Sequence, residues 1–196
     1  GTGYLVPAGT ATVARDYTGG EWHLISSPVS NANANMFIDL FLQQHTESTN
    51  LYTDISNPTT PLNVMQGYAL WNYLAGTASF VGTLNTGDMP PLNVTRSGVG
   101  YNFGWNLVGN PYPSPIDWDA TTGWTKTNVD NATYIHITSD PNPPYYGWAS
   151  YVNGVPQNGG SRYIASCQGF FVSVANGQVA GTLSMNNNVR THNSAT

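Results

Sequence analysis

One short sequence pattern occurs twice in the chain. Residues 22–28 read Trp-His-Leu-Ile-Ser-Ser-Pro, and residues 105–111 read Trp-Asn-Leu-Val-Gly-Asn-Pro. Both fit the pattern Trp-x-Leu-(Ile/Val)-(Ser/Gly)-x-Pro, in which the alternating residues suit a strand and the final proline cannot continue a hydrogen-bonded ladder. The two stretches therefore predict two β-strands at corresponding places in the chain.

Three further pairs of short blocks recur in the same order. They are residues 51–55 with 133–137, residues 66–71 with 168–173, and residues 82–84 with 181–183. Four ordered matches predict an internal duplication. The first β-rich half then takes in residues 1–100 and the second residues 101–196. We expect the two to form one compact unit, because a short sheet cannot bury its own apolar face.

The predicted fold class is all-β, as a β-sandwich or a jelly-roll-like arrangement of two similar halves. Two small barrels side by side are the alternative that the pattern leaves open. Gly, Asn, Pro and Thr are frequent between the blocks and supply turns. One short helix is expected near residues 35–44, where Asn35 precedes an apolar run that follows a helical spacing.

The composition excludes several classes of protein. Charged residues make up 8% of the 196 residues, Lys and Arg total 5, and the net charge is −5. So few cations disfavour a nucleic-acid-binding surface. No apolar run is long enough to insert in a membrane as a helix, and a single cysteine excludes an intramolecular disulfide. The surplus of Tyr, Trp, Asn and Thr is typical of an extracellular bacterial β-protein.

Residues 104–114, Gly-Trp-Asn-Leu-Val-Gly-Asn-Pro-Tyr-Pro-Ser, carry a family resemblance. They resemble a duplicated β-rich domain found ahead of the type IX secretion C-terminal sorting domain in secreted Bacteroidetes proteins. The resemblance covers residues 20–192 and includes residues 66–71, 80–87, 116–119, 163–165 with 168–172, and 189–192. It implies a secreted or cell-surface location and other domains of a larger secreted protein as partners, and it implies no particular activity.

Two aromatic stretches are the candidate ligand-binding sites. Residues 143–151 read Pro-Pro-Tyr-Tyr-Gly-Trp-Ala-Ser-Tyr, and a second stretch runs from residue 117 to residue 124. Sugars present apolar CH faces and hydroxyl rims, which aromatic platforms with polar edges can bind. The predicted polysaccharide-binding residues are Tyr145, Tyr146, Trp148, Tyr151, Trp118, Trp124 and Arg162. Trp22, Trp71 and Trp105 lie in the repeated strand blocks and are expected in the core.

Aspartates near the second aromatic stretch are the candidate metal ligands. Asp117, Asp119 and Asp140 lie in a loop-rich region, and carboxylate oxygens of this kind suit calcium. The four histidines have no paired spacing of the kind that binds zinc. We therefore expect solvated loop aspartates and no cofactor, and calcium bound by these aspartates is the alternative.

No catalytic set stands out in the sequence. Asp117 and Asp119 could share a strand face as the paired carboxylates of a glycoside hydrolase, but turn aspartates are the simpler reading. There is no Gly-x-Ser-x-Gly elbow and no phosphate-binding glycine loop. We therefore predict a non-catalytic extracellular module that attaches a larger protein to polysaccharide. A structural or adhesive spacer with no ligand of its own is the alternative.

Overall fold

The computed structural model describes residues 9–137 and 147–192. This part of the chain forms β-strands and two 3-10 turns, at Ala34–Phe37 and Asn187–Val189. The strands are β1 Ala11–Tyr17, β2 Trp22–Ser26, β3 Val29–Ser30, β4 Phe41–Thr46, β5 Leu51–Asp54, β6 Gly67–Trp71, β7 Gly76–Leu84, β8 Leu92–Thr95, β9 Trp105–Gly109, β10 Ile116–Asp117, β11 Trp124–Thr127, β12 Ala132–His136, β13 Trp148–Val152, β14 Val155–Gln157, β15 Tyr163–Ile164, β16 Gly169–Ser173 and β17 Ala180–Met185. The predicted all-β class is confirmed.

The strands form two sandwich-like units. In the first unit, a four-stranded sheet of order β2-β6-β4-β5 lies with a three-stranded sheet of order β1-β7-β3. In the second unit, a five-stranded sheet of order β14-β13-β12-β16-β9 lies with a three-stranded sheet of order β11-β17-β8 and a small ribbon of β10 and β15. All of the strand pairs within residues 9–137 and 147–192 are antiparallel.

The two units share an order of strands. In each, the first strand pairs with the last, β1 with β7 and β8 with β17. The second strand of each lies at the edge of the larger sheet and pairs with the penultimate one, β2 with β6 and β9 with β16. The sequence predicted that the second half begins at residue 101, but strand β8, at Leu92–Thr95, already pairs within the second unit. Strand β4 lies beside β6 in the first unit, and β12 lies beside β16 in the second. Residues 133–137, which include most of β12, therefore correspond in position to β4. The sequence had matched them instead with residues 51–55, which contain the edge strand β5. A duplication of the chain stays a prediction.

Each unit has its own core between its sheets. Ile25, Leu70 and Phe80 are buried in the core of the first unit. Val108, Phe170 and Leu183 are buried in the core of the second. Neighbouring residues of a strand point to opposite faces. On the larger sheets, the residues next to Ile25, Leu70, Val108 and Phe170 therefore point toward the other unit. The outward faces of the two larger sheets meet in a third cluster, which contains Leu24, Ala69, Leu107 and Phe171.

The backbones of the two units are hydrogen-bonded at two corresponding places. The Ser26 amide donates to the Cys167 carbonyl oxygen at 3.0 Å, and the Gly109 amide donates to the Met65 carbonyl oxygen at 2.7 Å. Cys167 and Met65 both have a left-handed backbone, with φ of 59° and 65°. In the block that follows, a Cβ on Gly169 would lie 2.8 Å from the Ile25 carbonyl oxygen. Glycine is required there by this close approach of the units.

The buried carboxylate of Glu47 also joins the units. It follows β4 of the first unit and is 8% exposed. It accepts hydrogen bonds from the amide of Gly104 at 2.7 Å, from the amide of Ser97 at 3.0 Å and from the Thr95 hydroxyl at 3.0 Å. Burial alone would raise the pKa of Glu47, but these hydrogen bonds outweigh it and hold the pKa below its ordinary value. Glu47 therefore holds the connection between β8 and β9 of the second unit against the first unit.

The predicted helix near residues 35–44 is reduced to a single 3-10 turn. Its N-cap is Asn33, whose side chain accepts from the Asn35 amide at 3.1 Å. Asp39 has a positive φ of 69°, and from Phe41 the chain is strand β4. A run this short gains little as an isolated helix, whereas pairing with β6 buries Leu42 in the core. Among the described residues, no helix has the length and apolar character needed to cross a membrane.

Candidate binding groove

An aromatic groove lies between the larger sheets of the two units. It consists of two adjoining cavities of about 480 Å³ and 280 Å³, which share Tyr52 and Trp148. The larger cavity is also lined by His45, Asn50, Trp105, Tyr134 and Phe171. The smaller is also lined by Trp22, Leu24, Gln43, Ala69 and His136. Both units contribute to both cavities, so the groove depends on how the units pack.

Strand alternation explains which side chains reach the groove. On β4, Gln43 lines the smaller cavity and His45, two residues on, lines the larger. On β12 of the second unit, Tyr134 lines the larger cavity and His136 lines the smaller. Leu42, which precedes Gln43 on β4, points the other way, into the core of the first unit. One face of each larger sheet thus completes a sandwich core and the other forms a wall of the groove.

Edge-to-face contacts between rings hold the walls together. Phe171, 6% exposed, lies at the base, with its ring centroid 5.0 Å from that of His45 and 5.5 Å from that of Trp148. His45 contacts Tyr52 across the β4–β5 hairpin at 5.2 Å. Such tilted packing fixes the rings while leaving part of their faces open. Tyr52 remains 41% exposed and Trp148 40% exposed, so both can contact a ligand.

The described lining of the groove is uncharged at neutral pH. It contains no Asp, Glu, Lys or Arg. Burial lowers the pKa of both His45 and His136, which favours their neutral imidazoles. Burial also raises the pKa of Tyr52 to about 12, so its hydroxyl stays protonated. The groove therefore offers aromatic faces together with amide, imidazole and hydroxyl groups. Such a surface can stack on an apolar face and hydrogen-bond to neutral polar groups.

Of the predicted ligand-binding residues that the structure describes, one lies in this groove. Trp148 lines both cavities. Tyr145, Tyr146 and Asp140 lie outside the described residues. Trp118, Trp124, Tyr151 and Arg162 lie elsewhere in the second unit, together with Asp117 and Asp119.

Trp118 is fully buried, so the prediction that it presents a platform to a ligand is wrong. Its Nε1 donates to the Asn131 side-chain oxygen at 3.0 Å. The ammonium of Lys126 lies 3.6 Å from its ring centroid, and Trp124 packs against it at 5.0 Å. Burial lowers the pKa of Lys126 to about 8, although the nearby carboxylates of Asp119 and Asp117 oppose the shift. These contacts occupy the ring faces that a sugar would need.

The polar residues of this region are likewise bonded to each other. Arg162 donates to both carboxylate oxygens of Asp117, at 2.6 and 2.8 Å. The hydroxyl of Tyr151, a residue only 7% exposed, donates to Asp119. Trp124 donates from Nε1 to the Asp117 carbonyl oxygen at 2.8 Å. We call Asp117, Trp118, Asp119, Trp124 and Arg162 the Trp118 cluster, and its packing indicates a structural role.

The aspartates predicted to bind calcium either accept hydrogen bonds from the protein or lie outside the described residues. Asp117 and Asp119 already accept hydrogen bonds from Arg162 and Tyr151. Within residues 9–137 and 147–192, no group of three or more His, Cys, Asp or Glu is arranged to hold a metal ion. Asp140 lies outside those residues, so a calcium site that includes it stays a prediction.

Sequence reasoning missed most of the groove. Trp22 and Trp105 were expected in the core, but they are half-buried and line the groove. Trp71 was also expected in the core, but it is half-buried and lies on the same sheet face as Trp22. The available signal was the alternation within the repeated block, since Trp22 and Leu24 share the face opposite to Ile25. His45, Tyr52 and Tyr134 carried no comparable signal, because only tertiary packing brings them together.

One family model, described as "Domain of unknown function (DUF8693)", matches residues 5–196. The chain belongs to this family. No curated protein and no solved structure matches the chain. Members of the DUF8693 family are therefore expected to share the two-unit β architecture described above, since the match extends over both units.

Proposed function

We propose that this protein is a non-catalytic extracellular module that binds polysaccharide in the groove between its two units. The observation that carries the proposal is the arrangement of Trp105, Tyr134, Trp148 and Tyr52 around one open groove, with Asn50 and His45 at its side. Sugar rings pack their CH faces on aromatic rings, and their hydroxyls need neutral hydrogen-bonding partners. The groove supplies both kinds of group within one cavity of about 480 Å³.

The size of the groove supports the same proposal. Binding pockets for small molecules commonly measure about 300–1,000 Å³, and the larger cavity lies in that range. Its aromatic faces are exposed in a chain whose other large apolar side chains mostly fill two cores. Exposed apolar surface of this kind usually marks a contact with another molecule. The proposed wider role is to attach a larger secreted protein to the polysaccharide, by the type IX secretion route that the sequence resemblance implies.

Retention of the chain on insoluble and soluble polysaccharides tests the proposal. The panel should include β-glucan, xylan, mannan, chitin and starch, with and without calcium. We expect retention on at least one member. Trp148→Ala should weaken that binding at least about tenfold, because it removes a ring shared by both cavities.

Tyr101→Ala is the matched control. Tyr101 is 98% exposed and lines neither cavity, so its loss should leave retention unchanged. Equal losses for Trp148→Ala and Tyr101→Ala would indicate non-specific adhesion. No retention on any polysaccharide would overturn the proposal and favour a structural or adhesive spacer. Retention that requires calcium would support the predicted metal site.

A further inference from the structure

An aromatic platform continues the groove beyond its two cavities. Trp71 lies directly opposite Trp22 in the β2–β6 register and shares its sheet face. Their ring centroids are 6.4 Å apart. Trp71 in turn contacts Phe41 at 5.3 Å and Tyr73 at 4.4 Å. We call Phe41, Trp71 and Tyr73 the Trp71 platform.

The Trp71 platform and the groove lie on one continuous face. Phe41, Gln43 and His45 alternate along β4, so their side chains share a face of the sheet. Phe41 belongs to the platform, Gln43 to the smaller cavity and His45 to the larger. Phe41 and His45 are four residues apart on an extended strand, which places their Cα atoms about 14 Å apart. This face is longer than a single sugar ring.

The side chains of the Trp71 platform are more exposed than those of apolar residues in a core. Phe41 is 50% exposed and Tyr73 75% exposed. The Trp71 platform contains no charged side chain, as is also true of the described lining of the groove. The chain as a whole carries a net charge of −5, which disfavours a polyanion. The uncharged lining and the length of this face together therefore favour a neutral, elongated ligand.

We propose that the groove and the Trp71 platform together bind an internal stretch of an uncharged polysaccharide chain. The inference rests on the proposed function and specifies its ligand: neutral sugars in an extended run, with no requirement for a chain end. Affinity should then rise with the number of linked sugars until the ligand covers the two cavities and the platform.

The experiment measures affinity by calorimetry for oligosaccharides from disaccharide to hexasaccharide, cut from whichever neutral polysaccharide retains the chain. Polygalacturonate, alginate and chitosan serve as charged probes. We expect the hexasaccharide to bind at least about tenfold more tightly than the disaccharide, a difference that sites binding a single sugar do not produce. Tyr73→Ala should remove much of this gain and leave the affinity for the disaccharide unchanged, and Trp71→Ala should remove more of the gain. Trp148→Ala should weaken the binding of both the disaccharide and the hexasaccharide.

Tyr73→Ala keeps the test interpretable if Trp71→Ala misfolds, because the Tyr73 side chain is largely exposed. Equal affinities for the two lengths, no effect of Tyr73→Ala, or retention on charged polymers alone would overturn this inference while leaving polysaccharide binding intact. Failure to bind any polysaccharide would instead overturn the proposed function. A wild-type dimer that Tyr73→Ala converts to a monomer would assign the platform to self-association and overturn the inference as well.

Discussion

The groove and the Trp118 cluster both contain closely packed aromatic rings, but they differ in how far those rings are exposed. In the Trp118 cluster, both indole N–H groups donate to protein oxygens, and Arg162 is bonded to Asp117. In the groove, the Trp105 indole is bonded to the Tyr101 carbonyl oxygen, yet part of Tyr52 and of Trp148 faces solvent. Aromatic content alone therefore does not distinguish the two regions, whereas exposure of the ring faces does, and that exposure is what makes the groove the candidate site.

The largest expected effect is on the stability of the Trp118 cluster. Trp118→Ala should lower the free energy of unfolding by about 3–5 kcal/mol, because it opens a cavity beside Phe170 in the second core. Urea unfolding at neutral pH, followed by circular dichroism, measures this. Trp118→Phe provides a milder change if the alanine variant does not fold, since it keeps a ring but loses the bond to Asn131. A loss below about 1 kcal/mol for Trp118→Ala would contradict the assignment of this residue to the core.

Glu47 provides the next largest effect, on the junction between the units. Glu47→Gln should cost about 2 kcal/mol of stability, since a neutral amide cannot accept all of the hydrogen bonds that Ser97, Gly104 and Thr95 donate. The same unfolding experiment measures it. The control is Glu21→Gln, which changes the only other glutamate in the sequence and should have little effect. Equal losses for the two variants would show that the interaction of Glu47 is not specific.

Acidification should destabilise the folded chain by a smaller amount. Burial holds the pKa of His45 and His136 below that of an exposed histidine, which is about 6.5. As the pH falls below about 6.5, the unfolded chain takes up protons that the folded chain resists, so stability present above that pH is lost. Urea midpoints between pH 7 and pH 5 test this. The drop should be smaller in His45→Gln than in the wild type, and an unchanged drop would contradict the role of His45.

The smallest effect on stability is expected in the groove. Trp148→Ala should cost about 1 kcal/mol or less, because the ring is 40% exposed and its loss leaves no sealed cavity. The same substitution is expected to have a large effect on polysaccharide binding. Urea unfolding beside the retention assay therefore separates the two regions, since Trp118→Ala should show the opposite combination. A stability loss for Trp148→Ala as large as that for Trp118→Ala would remove the distinction between them.

Much of the fold could be predicted from local pattern. The alternation and terminal proline of residues 22–28 and 105–111 predicted strands, and both are found, as β2 and β9. The helix near residues 35–44 was wrong in extent, because sheet pairing of β4 with β6 overrode a short helical spacing. The choice of sandwiches over barrels also depended on packing. That each unit closes around its own sheets follows from which residues are buried together.

The sequence by itself determined the all-β class, the uncharged character of the chain and the aromatic residue types that a polysaccharide site needs. These follow from composition and two-residue periodicity, which are local properties. Tertiary structure decided which aromatic residues are open and which are buried. Trp118 and Trp148 look equivalent in sequence, but Trp118 faces a closed core and Trp148 a gap between two units. Exposure depends on what packs against a strand face from distant parts of the chain, and no local pattern contains that information.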